Sequence, residues 1–379
     1  MIRTIGLKLL HLVPVLFLVS LATFFMIDLV PGDPAIAIAG DDATSAQLAE
    51  IREELGLNGP VTERYFNWLG DTFTGDLGKS FLPPVQPVSD MIRNRLPVTI
   101  QLSMMAMIAS FLVAVPMALR AASRAGDPFD RISNAGAFAA ISVPSFLAAL
   151  LLIYFFVFHK TTVQWIIASF AMLLLLSDVT RVARNAHRHA TGRERSGFVG
   201  AAVARWVVGG AVAALVVLML PDFPRQGFSR VTAEDGILEN LRHAFLPALT
   251  LALTEAAIFM RLLRGDLLST LQEDYILSAR AKGMPRWRIL VSDALRPSSF
   301  SLITIAGVAL GRAIGGTVIV ETIFNLPGMG TMVVSAIGAN DYPVVQASVL
   351  VIAVFYVVIN SIVDISYAYL DPRIRRGRV

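Results

Sequence analysis

The stretch PVTIQLSMMAMIASFLVAVPMAL, residues 97–119, contains no Asp, Glu, Lys or Arg. It exceeds the roughly 20 apolar residues that a helix needs to cross the hydrocarbon of a bilayer. Residues 9–27, 132–158 and 343–363 are equally free of charge. Weaker runs at 161–177, 206–220, 243–260 (with Glu255) and 297–320 (with Arg312) bring the expected crossings to eight. The 379 residues as a whole agree, with 55% hydrophobic and 16% charged residues, where an ordinary soluble domain is about 25% charged. Mean hydropathy is +0.65, and a soluble enzyme is set aside. A formal charge of +4 is too small to call for a polyanion, so no nucleic-acid partner is expected. Cysteine is absent and the five histidines are scattered, which leaves no metal-ligand spacing.

Loop charge orients these helices, because Lys and Arg gather on the cytoplasmic side. Arg3 and Lys8 precede the first run, and Asp and Glu dominate the segment after it, so the amino terminus reads as inside. Arg120, Arg124 and Arg131 then fall inside, Lys160 outside, and Arg181, Arg184, Arg188, Arg193, Arg195 and Arg205 inside. Asp222, Glu234, Asp235 and Glu239 sit outside, and Arg261, Arg264, Arg280, Lys282, Arg286, Arg288 and Arg296 inside. Arg373, Arg375, Arg376 and Arg378 end the chain inside. Eight crossings with both termini cytoplasmic satisfy every loop, whereas dropping one weak crossing reverses all that follows. The first run ends without a small-x-small site, so residues 1–31 are read as a retained helix.

Residues 32–96 form an expected external subdomain, and 97–379 the membrane domain. Turn signals at Gly32-Asp33-Pro34 and Asn58-Gly59-Pro60 flank a short amphipathic helix at 45–55, with Leu48, Ile51 and Leu55 on one side. Tyr65, Phe66, Trp68, Leu69 and Phe73 follow as an aromatic patch, which either packs the subdomain onto the membrane body or docks an external partner. Gly78-Lys79-Ser80 imitates the end of a phosphate-binding loop, but the motif's leading glycine would fall on Phe73. The string also lies outside, away from cytoplasmic ATP. With no hydrolase or metalloprotease motif either, the chain reads as a transporter subunit, not an enzyme, powered by another subunit.

Ordered motifs run through the chain. His11-Leu12-Val13-Pro14, Leu29-Val30-Pro31-Gly32-Asp33-Pro34, Leu55-Gly56-Leu57, Trp68-Leu69-Gly70, Gly75-Asp76-Leu77-Gly78-Lys79-Ser80-Phe81 and Arg95-Leu96-Pro97 occupy the front, and Ser142-Val143-Pro144-Ser145-Phe146 the third span. Asp274-Tyr275-Ile276, Ala279-Arg280-Ala281-Lys282-Gly283, Val320-Glu321-Thr322-Ile323-Phe324, Pro327-Gly328-Met329-Gly330, Asp341-Tyr342-Pro343-Val344-Val345-Gln346 and Asp371-Pro372-Arg373 occupy the back. In these motifs, over roughly 1–160 and 240–376, the chain resembles the membrane permeases of bacterial ABC importers of the dipeptide, oligopeptide and nickel group. The resemblance implies an all-α polytopic membrane protein with the type I ABC importer transmembrane-domain fold. Permeases of that group usually have six helices, the fourth beginning near Leu246-Pro247-Ala248. Here about 80 residues, 161–240, precede it as an inserted helical pair. Two true crossings, or two segments lying along the bilayer, both preserve the downstream orientation.

The basic loop 264–296 contains a helical stretch, residues 272–282, stopped by Gly283 and Pro285. Taken alone it is either a loop held near anionic lipid or a rigid lever between two crossings. The resemblance implies the lever: a coupling helix seated in a groove of a cytoplasmic ATPase. On that reading Tyr275 and Ala279, one turn apart, form the inserted face, with Ala281 among the less polar members. Arg280 and Lys282 supply polar contacts at its edge, and Gly283 permits close approach.

A charge at mid-bilayer costs at least a few kcal/mol, so Glu255 and Arg312 are expected to face the protein interior or a watery path. They either pair with each other, meet a charged peptide terminus, or snorkel to the interface. Pro116 and Pro144 stand inside long spans. Gly307, Gly311 and Gly315 recur every four residues and mark one close-packing face, covered by a partner permease or by the chain's own bundle.

The resemblance further implies alternating access along a route shared with a homologous second permease. Two cytoplasmic ABC ATPase subunits would carry ATP and Mg, and an external solute-binding protein would deliver peptide. No cofactor is expected on this chain, and the location is the bacterial inner membrane. Alternatives left open are a nickel or metal-chelate permease, an ion-coupled secondary carrier with Glu255 as proton site, and a membrane sensor or scaffold whose 178–205 loop binds a regulator.

Overall fold

A computed structural model describes residues 2–28, 35–36, 43–54, 59–169, 172, 210, 221–231 and 236–370. The elements are α1 (Ile2–Asp28), α2 (Ser45–Glu54), α3 (Val61–Thr74), α4 (Val88–Ser123), α5 (Pro128–Ser142) and α6 (Ser145–Ile153), which runs on into a π-helical turn, Tyr154–Phe158. After them come α7 (Gly236–Thr270), α8 (Asp274–Ala281), α9 (Leu295–Gly316), α10 (Val318–Ile323), α11 (Met329–Gly338) and α12 (Tyr342–Leu370). A second π-helical turn, Ile289–Ala294, leads into α9. Among the described residues the one extended pairing is an isolated bridge between Lys79 and Pro87. The chain is all-α and multi-pass, as its composition requires.

Among the described residues four helices are long and apolar enough to cross a membrane: Val88–Ser123, Gly236–Thr270, Arg286–Ala313 and Tyr342–Val363. The α5–α6 pair makes a fifth if its two parts are one span, and Leu12–Phe25 is a shorter apolar stretch. Of the crossings expected at 161–177 and 206–220, only 161–169, 172 and 210 are among the described residues, with 160–169 helical; the 178–205 loop lies wholly outside them. Two expected runs are interrupted. The 132–158 run breaks at Val143-Pro144, where Val143 turns extended (φ −83°, ψ 119°). Pro144 donates no N–H and disfavours helical geometry in the residue before it. The 297–320 run ends at Gly316, and the chain restarts as α10 after Thr317.

The chain falls into two compact units. The first comprises Met1–Ala148, Gln226–Phe228 and Pro247–Val379. Its main core joins Ala114, Ala118 and Ala137 to Phe259, Met260, Leu263, Leu267, Leu302 and Ala306, with Phe111 stacked on Phe259 at 5.3 Å. The glycine face of α9 meets the chain's own α12: a Cβ on Gly307 would overlap Val363, and one on Gly311 would lie 3.2 Å from Asn360 Nδ2. Between α1 and α4, α3 packs on α1. The Tyr65 hydroxyl is 2.7 Å from Ser20 Oγ, and the Phe24 ring lies 5.4 Å from Tyr65 and 5.6 Å from Trp68. The packing reading of the aromatic patch thus fits Tyr65 and Trp68, whereas Phe66 and Phe73 stay exposed. Gly78-Lys79-Ser80 forms a clasp: Ser80 Oγ donates to Asp341, the Ser80 N–H to the Gln86 carbonyl and the Val88 N–H to the Gly78 carbonyl. Those polar groups are committed to structure, not to a phosphate.

The second unit comprises Ala149–Arg225 and Ser229–Leu246. Phe223 stacks on Phe245 at 5.1 Å, and Lys160 Nζ lies 2.6 Å from Asp222. That hydrogen bond and charge hold the Asp222 carboxyl below its usual range.

Candidate functional site

The helix expected in the basic loop is α8. Glu273 begins it in extended geometry (φ −67°, ψ 147°), and Gly283 ends it at φ +75°, a conformation that favours glycine. The Met284 N–H reaches back to the Ala279 carbonyl (3.2 Å) and the Gly283 N–H to that of Arg280 (2.9 Å). This pair of bonds is a Schellman cap, which satisfies carbonyls at the helix end and fixes where the chain leaves it.

Ile276 is fully buried in the main core beside Ile289 and Leu290, and Ala279, one turn on, is partly buried against the same cluster. Tyr275 and Ala279 therefore do not form one outward face as expected. Ala279 turns inward because its spacing from Ile276 puts both on the core side. Tyr275, Leu277, Arg280, Ala281, Lys282 and Gly283 are exposed, and so is Trp287, at 67%. Sequence reasoning counted Leu277 among the less polar members of this helix but gave no role to Trp287 or to the anchor Ile276. The available signal was the adjacent apolar pair Ile276 and Leu277, whose side chains diverge by about 100° on a helix, so that one can be buried while the other is exposed.

Hydrogen bonds tie α8 and its flanks to their surroundings. Arg280 Nη2 donates to the Leu271 carbonyl (3.3 Å), and Thr270 Oγ1 meets Ser298 Oγ (2.9 Å). Upstream, Arg264 on α7 grips Asp130 on α5 in a two-pronged ion pair, Nε to Oδ1 at 2.5 Å and Nη2 to Oδ2 at 2.7 Å. Asp130 also accepts the Gly126 N–H (2.8 Å) and Asn134 Nδ2 (3.0 Å), so its carboxylate is fully used. Arg261 lies over the Phe138 ring at 3.7 Å, a second tie between α7 and α5.

Deeper in the membrane domain the structure brings Glu255 and Arg312 together, Nη2 to Oε1 at 3.4 Å. The contact is long and single-pronged. Glu255 Oε2 is buried without a hydrogen-bond partner, while the Arg312 side chain is 55% exposed. The pair neutralises two intramembrane charges and leaves the guanidinium room to meet a further group.

Residues 114–376 match the family described as binding-protein-dependent transport system inner membrane component, and residues 1–103 match its N-terminal family. The chain belongs to this permease family. The probable peptide ABC transporter permease protein y4tP of Sinorhizobium fredii is 33% identical over 368 residues, 97% of each chain. The probable D,D-dipeptide transport system permease protein DdpB of Escherichia coli is 33% identical over 361 residues, 95% of this chain and 93% of its own. The dipeptide transport system permease protein DppB of Escherichia coli is 30% identical over 383 residues, 100% of this chain and 98% of its own. Among the described residues no group of three or more His, Cys, Asp or Glu side chains gathers as a metal site would.

This permease carries a further polar cluster whose role sequence reasoning did not assign. Glu321 on α10 is fully buried and accepts Thr99 Oγ1 (2.7 Å), Thr317 Oγ1 (2.8 Å) and the Thr331 N–H (3.1 Å). Thr99 Oγ1 in turn accepts the Met329 N–H at 2.9 Å. A carboxyl from α10 and a hydroxyl from α4 together cap the amino terminus of α11, satisfying N–H groups that a helix start leaves open. Gly328 and Gly330 make room for them: a Cβ on Gly330 would lie 2.6 Å from Val318 Cα and 2.9 Å from Glu321 Oε2. The Glu321…Gly330 motif is thus a packing unit.

Proposed function

We propose that this permease is the membrane-spanning subunit of an ATP-driven importer of dipeptides or oligopeptides. The reading of substrate rests on the family and on relatives whose names specify peptide, dipeptide or D,D-dipeptide transport. Membership in this family also weighs against the secondary-carrier and sensor alternatives. Its partners are a homologous second permease, an external solute-binding protein and two cytoplasmic ATPase subunits that hold ATP and Mg. Both termini are cytoplasmic, in keeping with the basic loops.

The observation that carries the coupling role is a short, capped helix that keys Ile276 into the core while presenting Tyr275, Leu277 and Trp287 outward. Exposed aromatic and leucine side chains in a basic loop suit a groove on a soluble subunit. Closure of the ATPases displaces α8, and a buried anchor plus the Arg264–Asp130 pair transmits the shift to α5, α7 and α9 as rigid elements. Glu255 and Arg312 line the route, where the free side of the guanidinium meets the carboxylate of a passing peptide. The test is peptide uptake into vesicles holding the reconstituted complex. Uptake is expected to require ATP, all partners and an intact α8, and to persist when the proton gradient is collapsed. Uptake driven by the gradient without ATPases refutes the reading.

A further inference from the structure

The external helix α3 divides into three arcs when its residues are laid out at 100° intervals. Tyr65, Trp68 and Thr72 face α1, where Tyr65 bonds Ser20 and stacks edge-on with Phe24. Glu63, Asn67, Asp71 and Thr74 form the opposite, exposed polar arc. Between the two, Phe66, Leu69 and Phe73 recur at helical spacing, and Phe66 is 66% and Phe73 84% exposed. An apolar flank this open is costly in water, at about 25 cal/mol for each Å².

The partner it fits is fixed by α1. The α1 face that holds α3 through Ser20 and Phe24 continues down the helix to Val13 and Phe17, which are 61% and 49% exposed within the charge-free run 9–27. Ser20 lies about 10 Å below the outer end of that run, at 1.5 Å per residue. A helix hydrogen-bonded at that depth does not stand clear of the membrane in water. We propose that α3 is an interfacial helix lying in the outer leaflet, with Phe66, Leu69 and Phe73 dipped toward the acyl chains and its acidic arc toward the headgroups. An apolar flank beside a polar arc is the pattern of helices that lie in the interface plane. The helix thereby anchors the external segment beside α1.

The absence of cysteine makes the test direct. Phe66→Cys, Phe73→Cys and, on the polar arc, Asn67→Cys are each labelled with an environment-sensitive fluorophore. The full chain, assembled with its partner subunits, is placed in phosphatidylcholine nanodiscs. The first two labels are expected to lose about half or more of their emission to doxyl-labelled lipid and little to aqueous iodide, and Asn67 the reverse. All three positions are exposed, so folding is retained. Iodide quenching at Phe66 and Phe73 equal to that at Asn67 overturns the proposal. Shielding from both quenchers overturns it too, by making this face a protein interface, as does shielding that develops only when a solute-binding protein is added.

Discussion

Gly330→Ala tests the clasp around Glu321. Gly330 stands in the first turn of α11, where alanine is ordinarily the better helix former by up to about 1 kcal/mol. The added Cβ would meet Val318 Cα at 2.6 Å, Glu321 Oε2 at 2.9 Å and Val318 Cγ2 at 3.0 Å. A backbone atom cannot swing away as a side-chain tip does, so α10 and α11 must separate by about 1 Å to restore carbon–carbon contact near 3.5–4.0 Å. Overpacking of that kind costs about 1–3 kcal/mol. The separation also stretches the Thr331 N–H bond to Glu321, now 3.1 Å, beyond bonding range. Losing a hydrogen bond to a carboxylate adds about 1.5–3 kcal/mol. Sterics win over propensity, and a net loss of about 2–5 kcal/mol is expected. Gly338→Ala is the internal control, because its Cβ meets nothing within 4 Å in the same helix. The assay is unfolding of the purified permease followed by tryptophan fluorescence. Equal stability of the two variants refutes the clasp.

Arg264→Met strands the Asp130 carboxylate, whose side chain is 4% exposed, and is expected to cost about 3 kcal/mol. Asp130→Asn leaves a guanidinium that is 22% exposed and so costs less, an ordering that thermal unfolding checks. Gly283→Val forces a β-branched residue to φ +75°, at about 1–2 kcal/mol for the backbone alone. It is expected to abolish ATPase co-purification while membrane insertion, followed by fractionation, is unchanged. Arg312→Gln keeps the fold but removes the charge offered to a peptide carboxylate. Peptide uptake should fall about tenfold or more, the equivalent of one charge-assisted hydrogen bond, with ATPase docking intact; unchanged uptake removes Arg312 from the route.

Much of the fold was legible because charge-free runs report the bilayer directly. The stop of α8 was legible too, since Gly283 followed by Pro285 punctuates a helix whatever surrounds it. What sequence did not settle depended on three-dimensional neighbours. The break at Val143-Pro144 was unreadable because Pro97 and Pro116 sit inside α4 without ending it, and only packing distinguishes these prolines. Ala279 looked like a surface residue until Ile276 fixed which side of α8 faces the core. Glu321 carried a motif but no visible role, because its partners Thr99 and Thr331 come from two other helices.

The contact between α9 and α12 has a kinematic consequence. Where Gly307 and Gly311 leave no side chain, Val363 and Asn360 fill the gap, so neither helix can slide or roll without its neighbour colliding. The two therefore travel as a single strut.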